Sequence, residues 1–258
     1  MLADAATRRA RFPRGLVQPP GGFRFGADTL LLAAFAHANL KMGKPLAGLD
    51  IGTGCGAAAI GLLLLRPQNA LHITGIDTGP EMLDAARQNA AALDLGACFA
   101  PQQADAQDYR APAPGLDFVL ANPPFRVPGT GKACPDDART RARFEGPGGF
   151  AAFAACAGRN LRPQGRLFLV HLAERLPELI IALSQAGLHT RRLLPVQGVA
   201  AATPRLALLL AVRGGGQGLI LESPLALYTP EGVLTPEARA FCPHLAANPV
   251  RKARQMGA

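Results

Sequence analysis

Four consecutive residues, Asn122, Pro123, Pro124 and Phe125, stand directly after the strand-like run LDFVLA. Proline lacks an N–H and holds φ near −65°, so the carbonyls around Pro123 and Pro124 are not drawn into a helix. The Asn122 side-chain oxygen and the Pro123 carbonyl can therefore converge on one planar NH2 donor. Phe125 offers a face to the ring that carries this amine, and such stacking contributes about 1–3 kcal/mol per base. An aromatic amine is a poor nucleophile because its lone pair is delocalised into the ring. Two acceptors that grip its hydrogens favour a pyramidal nitrogen with its lone pair aimed at an electrophile. A sulfonium methyl needs no strong base, so positioning carries most of such a reaction. The competing reading of NPPF is a Pro-Pro turn that merely ends a strand, and the strand and acidic residues around it favour the amine grip.

A second cluster lies upstream in LDIGTGCGAAAIG. Gly52, Gly54 and Gly56, with Thr53 inside the turn, follow a strand and open a helix. Glycines there permit a tight turn and let a nucleoside-type ligand approach the backbone. Asp77, 25 residues past Gly52, ends the next strand, where a carboxylate can hold ribose hydroxyls. Ala57 also completes G-x-G-x-x-A, so a dinucleotide is the rival ligand. Asp50 argues against it: a carboxylate beside the turn repels a pyrophosphate and suits the ammonium of a methionine moiety. After the third strand, Asp105 in ADAQDY can accept from the exocyclic amine of an adenine. Cys55 has no histidine near it in sequence and reads as a small filler rather than a nucleophile.

These residues need a scaffold, and the hydrophobic pattern predicts an alternating one. Strands are expected at 46–51, 71–77, 116–122 and 165–172, and helices from Pro80 to about Leu95 and over 174–186. GADTLLLAAFAHA forms an apolar helix with Asp28 near its start as a possible cap, and Thr78 is a possible cap for the helix at Pro80. The last third, LHTRRLLPV, RLALLLAVRG and GLILESPLALY, reads as strands without helices between them. This predicts an α/β fold with a mostly parallel sheet and an antiparallel edge hairpin. Neither a repeat nor a linker divides the core. One domain over 25–229 is expected, flanked by a mobile basic arm at 1–24 and a tail at 230–258.

Composition narrows the partners. The 258 residues are 49% apolar and 17% charged, a globular balance. No uncharged run reaches the roughly 20 residues of a membrane span, and no apolar run follows the first charges as in a secretory signal. Lys and Arg number 27 against 18 Asp and Glu, for a net charge of +9 and a pI near 10. Arginine supplies 23 of the 27, which suits phosphate and base contacts in a polyanion; an Ala-rich, GC-biased coding sequence is the alternative source. Five cysteines without a CxxC pair and five scattered histidines predict neither disulfides nor a metal site, and point to a reducing cytoplasm.

FRFGADTLLLAAF, LDIGTGCG, GIDTGPEMLDAARQNA, ADAQDY and LANPPF resemble, in order, the cofactor and catalytic motifs of class I S-adenosylmethionine-dependent methyltransferases of the (N/D)PP(Y/F/W) group. More narrowly, the chain is similar to bacterial tRNA (valine, first isoacceptor) adenine-N6 methyltransferases, which act on an adenine beside the anticodon. FGADTLLLAAF, ARTRARFEG and the ending PRLALLLAVRGGGQGL…PLALYTPEG carry this narrower likeness, over about residues 20–240. The resemblance implies a Rossmann-like fold, S-adenosylmethionine as cofactor and RNA, above all tRNA, as partner. Asp50, Gly52, Thr53, Gly54 and Gly56 would then surround the methionine part, Asp77 the ribose, and Asp105 and Ala106 the adenine. The helix at Gly26 and Asp28 would close over the cofactor, and Asn122 to Phe125 would hold the target base.

Phe125 departs from the Tyr of many adenine-N6 members and matches relatives that methylate guanine N2 in ribosomal RNA. Those usually carry an extra N-terminal half, and glutamine-N5 methyltransferases of release factors carry a helical N-terminal domain; about 45 residues precede the first strand here. For the RNA, phosphate clamps are expected from Arg8, Arg9, Arg11 and Arg14 and from Lys132, Arg139, Arg141 and Arg143. Arg251, Lys252 and Arg254 form a third basic cluster, read equally as solvated charge.

Overall fold

The computed structural model describes residues 4–20, 24–41, 43–67, 69–112, 115–125 and 149–247. Strands β1 (Leu46–Ile51), β2 (Leu71–Asp77), β3 (Phe99–Gln103), β4 (Leu116–Ala121) and β5 (Leu161–Leu172) pair in parallel in the order β3-β2-β1-β4-β5. The order reverses between β1 and β4, and ligands of open α/β sheets bind beyond the carboxyl ends of the strands at such a switch point. Both the glycine turn and NPPF leave the sheet there.

Side chains alternate across each strand, which divides the core into two layers. Phe118, Leu120, Phe168 and Val170 face α2 (Ala27–Asn39), α3 (Ala57–Leu64) and α4 (Pro80–Ala92). Val119, Ala121, Leu167 and Leu169 face α5 (Gly149–Asn160) and α6 (Leu176–Gln185). Burial on both faces explains why these strands read as nearly continuous apolar runs. The helix at Pro80 takes Gly79 as its N-cap without a side-chain bond, so Thr78 does not cap it.

The strand-only ending forms β6 (Leu188–Gln197) and β7 (Leu206–Arg213), an antiparallel hairpin as expected. It is not a bare edge, however. β7 inserts between β5 and β6, and two-residue strands β8 (Ile220–Leu221) and β9 (Leu225–Ala226) line the outer side of β6. GLILESPLALY is split because Pro224 has no N–H to donate to a ladder.

The flanks also differ from expectation. Residues 5–11 form helix α1 (Ala5–Arg11), whose N-cap Asp4 accepts from the Thr7 N–H at 2.7 Å. Phe12 is 2% exposed and meets the His244 ring edge-on at 4.7 Å; burying such a ring contributes about 1.5–3 kcal/mol, which a free arm would forgo. Arg9 donates to the Leu93 carbonyl at 2.8 Å and Arg14 to that of Ala247 at 2.5 Å. From the expected tail, α7 (Pro236–Phe241), capped by Thr235, buries Ala238 in the layer that holds α2, and Cys242 and Leu245 just after it bury there too. Covered from every side, α2 buries eight consecutive residues from Thr29 to Ala36. Among the described residues no helix is long and apolar enough to cross a membrane. The clusters at 132–143 and 251–254 lie outside the described residues.

Candidate active site

The glycine turn is built on left-handed backbone. Gly52, Gly54 and Gly56 have φ of 68°, 56° and 85°, which glycine adopts without strain. A Cβ on Gly56 would also lie 2.7 Å from the Phe99 ring. The Thr53 N–H bonds the Ile76 carbonyl at 2.9 Å and ties the turn to β2. Its hydroxyl donates to Asp50 Oδ2 at 2.7 Å. Asp77 closes the other side: Oδ2 accepts from the Gly54 N–H and Oδ1 from the Gly79 N–H, each at 2.9 Å. A carboxylate has about four lone-pair sites, so Asp77 keeps capacity for two hydroxyls.

Burial pushes the Asp50 carboxyl up to about 7, against the pull of the Thr53 hydroxyl, and Asp77 adds like-charge repulsion. Burial raises Asp77 as well. Among the described residues neither carboxylate has a cationic partner. A buried and a half-buried acid without countercharge repel a pyrophosphate and fit a ligand that brings a sulfonium and an ammonium. S-adenosylmethionine fits this pair; a dinucleotide does not. Cys55 is buried and its thiol is pushed up to about 12, which makes it an inert filler.

Asp105 is less committed than expected. It is exposed, and its Oδ1 accepts from the Gln107 N–H at 2.8 Å, a local turn. Order in this segment comes from Arg159 on α5, whose guanidinium donates to the carbonyls of Ala106, Gln107 and Tyr109. Arg159 holds the loop expected beside the adenine from about 50 residues away in sequence, and no local signal marks it.

At the end of β4, the Asn122 Nδ2 donates to Thr29 Oγ1 at 2.8 Å and reaches Asp28 Oδ2 at 3.4 Å. The Asn122 Oδ1 is buried and has no hydrogen-bond partner among the described residues. Asp28, expected over the cofactor, thus turns its carboxylate to Asn122. Gly26 is the N-cap of α2, and a Cβ there would lie 2.7 Å from Asp28 Oδ1. Phe125, half-buried, sits 5.0 Å from the ring of His171, near the end of β5. His171 is fully buried, and burial lowers its imidazole to about 4. Its Nδ1 accepts from the Leu172 N–H at 2.8 Å, while Nε2 has no partner among the described residues. The sequence offered one hint: a lone histidine in the apolar strand GRLFLVHL, at the end where ligands bind.

Residues 49–134 match the family described as Methyltransferase domain. The chain is 32% identical over 178 residues to a tRNA1(Val) (adenine(37)-N6)-methyltransferase of Porphyromonas gingivalis, covering 67% of this chain and 68% of that one. It is also 32% identical over 170 residues to a release factor glutamine methyltransferase of Cereibacter sphaeroides, covering 63% and 56% respectively. In three dimensions it superposes on an Agrobacterium tumefaciens protein named a predicted O-methyltransferase, with a TM-score of 0.65 and 19% identity, over 84% of this chain and 96% of that chain. That likeness shows the fold, and the sequence matches show the lineage. The chain belongs to the tRNA1(Val) (adenine(37)-N6)-methyltransferase family and is a class I, S-adenosylmethionine-dependent N-methyltransferase.

Proposed function

We propose that this enzyme methylates the exocyclic N6 amine of an adenine in tRNA, near the anticodon, in the cytoplasm. One observation carries the reading: a buried amide oxygen on Asn122 without a partner among the described residues, on an amide already held through its nitrogen. Leaving a buried acceptor unsatisfied costs about 1–3 kcal/mol, and an incoming amine removes that cost. Asn122 Oδ1 and the Pro123 carbonyl take the two amine hydrogens while the base stacks on Phe125. Pro124 keeps the turn out of helical geometry. When bound, S-adenosylmethionine supplies the electrophilic methyl. Asp50 and Thr53 hold its ammonium, Asp77 its ribose, and Asp105 and the Ala106 backbone its adenine. Gly52, Gly54 and Gly56 let it lie against the chain, with Gly26 making room for the Asp28 carboxylate.

The net charge of +9 suits an RNA substrate, and the Porphyromonas gingivalis relative is named for tRNA. A second reading is glutamine-N5 methylation in a protein, favoured by the Cereibacter sphaeroides relative; a glutamine amide presents the same planar NH2. Tritium transfer from labelled cofactor to tRNA, ribosomal RNA and protein pools separates them. Label in tRNA that digests to N6-methyladenosine supports the proposal. N2-methylguanosine from ribosomal RNA, or methylglutamine from protein, replaces it.

A further inference from the structure

Resting on that reading, we propose that Asp28 and Thr29, at the start of α2, are positioning residues for Asn122: they decide that its carbonyl, and not its NH2, meets the acceptor amine. The two ends of a carboxamide are opposite in hydrogen-bonding character and nearly equal in shape. The terminal torsion of asparagine is broad and roughly two-fold, so the side chain alone does not choose. An Asn122 turned the wrong way would set its own donors against those of the substrate.

The choice is made from the other side. Thr29 Oγ1 accepts from Nδ2 at 2.8 Å, and Asp28 Oδ2 lies 3.4 Å from the same nitrogen. A hydroxyl serves either orientation, since it both donates and accepts. An ionised carboxylate only accepts, so it tolerates the NH2 and repels the carbonyl. Asp28 is therefore the discriminating partner, and Thr29 supplies the shorter bond. Asp28 sits closely against the start of α2: the absence of a Cβ at Gly26, which would lie 2.7 Å from Oδ1, leaves room for its carboxylate, and the backbone at Thr29 and Gly26 pulls its pKa down. Positive charge at the helix N-terminus favours the anion there, opposing the burial that raises this carboxyl. The four residues GADT thus act on a side chain 94 positions away.

The test combines turnover on an adenine-containing tRNA transcript with S-adenosylmethionine affinity by calorimetry. Asp28→Asn and Thr29→Val should each lower kcat about tenfold or more with cofactor Kd nearly unchanged, and Thr29→Ser should restore most of the loss. Asn122→Asp should be worse, because it sets two carboxylates in contact. Adding Asp28→Asn to Asn122→Asp should recover at least about tenfold in kcat, since the introduced amide can donate to the introduced acid. Retained cofactor affinity reports that each variant is folded. Weakened cofactor binding with unchanged kcat in Asp28→Asn, or no recovery in the double variant, overturns the inference. Asn122→Ala separates the two levels. If it retains near-normal turnover, the amine-gripping reading falls and this inference with it. If it is inactive while Asp28→Asn is fully active, only the inference falls.

Discussion

The rings of Phe125 and His171 lie 5.0 Å apart at an interplanar angle of 55°, joining the motif after β4 to the end of β5. Phe150 approaches the same imidazole at 6.0 Å. With Nδ1 accepting from Leu172 and burial keeping the ring neutral, the one imidazole hydrogen sits on Nε2. A neutral ring packs Phe125 without the charge that would compete for its π-face.

Stability should report this. The folded pKa of His171 is about 4, below the ordinary 6.5. Below pH 6.5 the unfolded chain takes up a proton that the folded chain refuses, so stability is lost as pH falls from 6.5 towards 4. Each pH unit within that window removes up to about 1.4 kcal/mol. Asp50 slopes the opposite way, since its raised pKa favours the folded state at low pH and that gain is lost as pH rises through about 7. The informative quantity is the difference between wild type and His171→Phe in urea titrations at several pH values. The variant should lose less stability on acidification; parallel profiles would rule out a buried, neutral His171.

Cofactor affinity should depend on pH through Asp50. A cation beside a carboxyl held at about 7 favours its ionised form, so binding releases a proton below that pH. Affinity should rise by up to about tenfold per pH unit between pH 5.5 and 7 and then level off. Asp50→Asn should bind more weakly and show no such rise. Calorimetry in two buffers of different ionisation enthalpy counts the released proton, and a count of zero at pH 6 in wild type would falsify the role of Asp50.

Asp77→Ala removes the carboxylate expected on the ribose and also frees the N–H groups of Gly54 and Gly79. Loss of such charge-assisted bonds should weaken cofactor binding by about 30-fold or more. Hydrogen exchange at Gly54 should accelerate even without ligand. An affinity equal to wild type would remove Asp77 from the cofactor site.

Asn122→Ala should lower kcat by roughly 10²–10³-fold, the usual loss on removing one group that acts on the transition state, and leave cofactor affinity nearly intact. Phe125→Ala should raise the apparent KM for RNA through lost stacking, whereas Phe125→Tyr should be mild. Single-turnover assays separate the two: a chemical step unaffected by Asn122→Ala contradicts the grip on the amine.

The basic N-terminal segment now divides by residue. Arg9 and Arg14 are engaged with the carbonyls of Leu93 and Ala247, so Arg9→Ala should cost stability and leave the salt dependence of tRNA binding nearly unchanged. Arg11 is exposed, and Arg11→Ala should flatten that dependence by a slope of roughly 0.7, the value for one contact to a single strand. Binding measured from low to high salt tests both. An unchanged slope for Arg11→Ala takes α1 out of the RNA interface.

Local pattern by itself determined much of this protein. Alternating strands and helices, three glycines where only positive φ closes the turn, and two prolines after Ala121 are encoded within a few residues of where they act. They made the parallel sheet, the glycine turn after β1 and the Asn-Pro-Pro-Phe run after β4 legible in advance. Tertiary structure decided the rest, because the deciding partners are far apart along the chain. Phe12 packs beside Gly61 of α3 and the His244 ring, and the Cys242 thiol bonds the Leu30 carbonyl of α2, which turns an expected arm and tail into packed flanks. β7 lies inside the sheet, paired at both edges with β5 and β6, with Leu208 and Leu210 buried in one layer and Ala207, Leu209 and Ala211 in the other. Arg159 reaches back to the Ala106 loop, His171 backs Phe125, and Asp28 orients Asn122 across 94 positions. Such contacts leave no periodicity and no spacing to read: they exist only once the sheet has brought the strand ends to one edge.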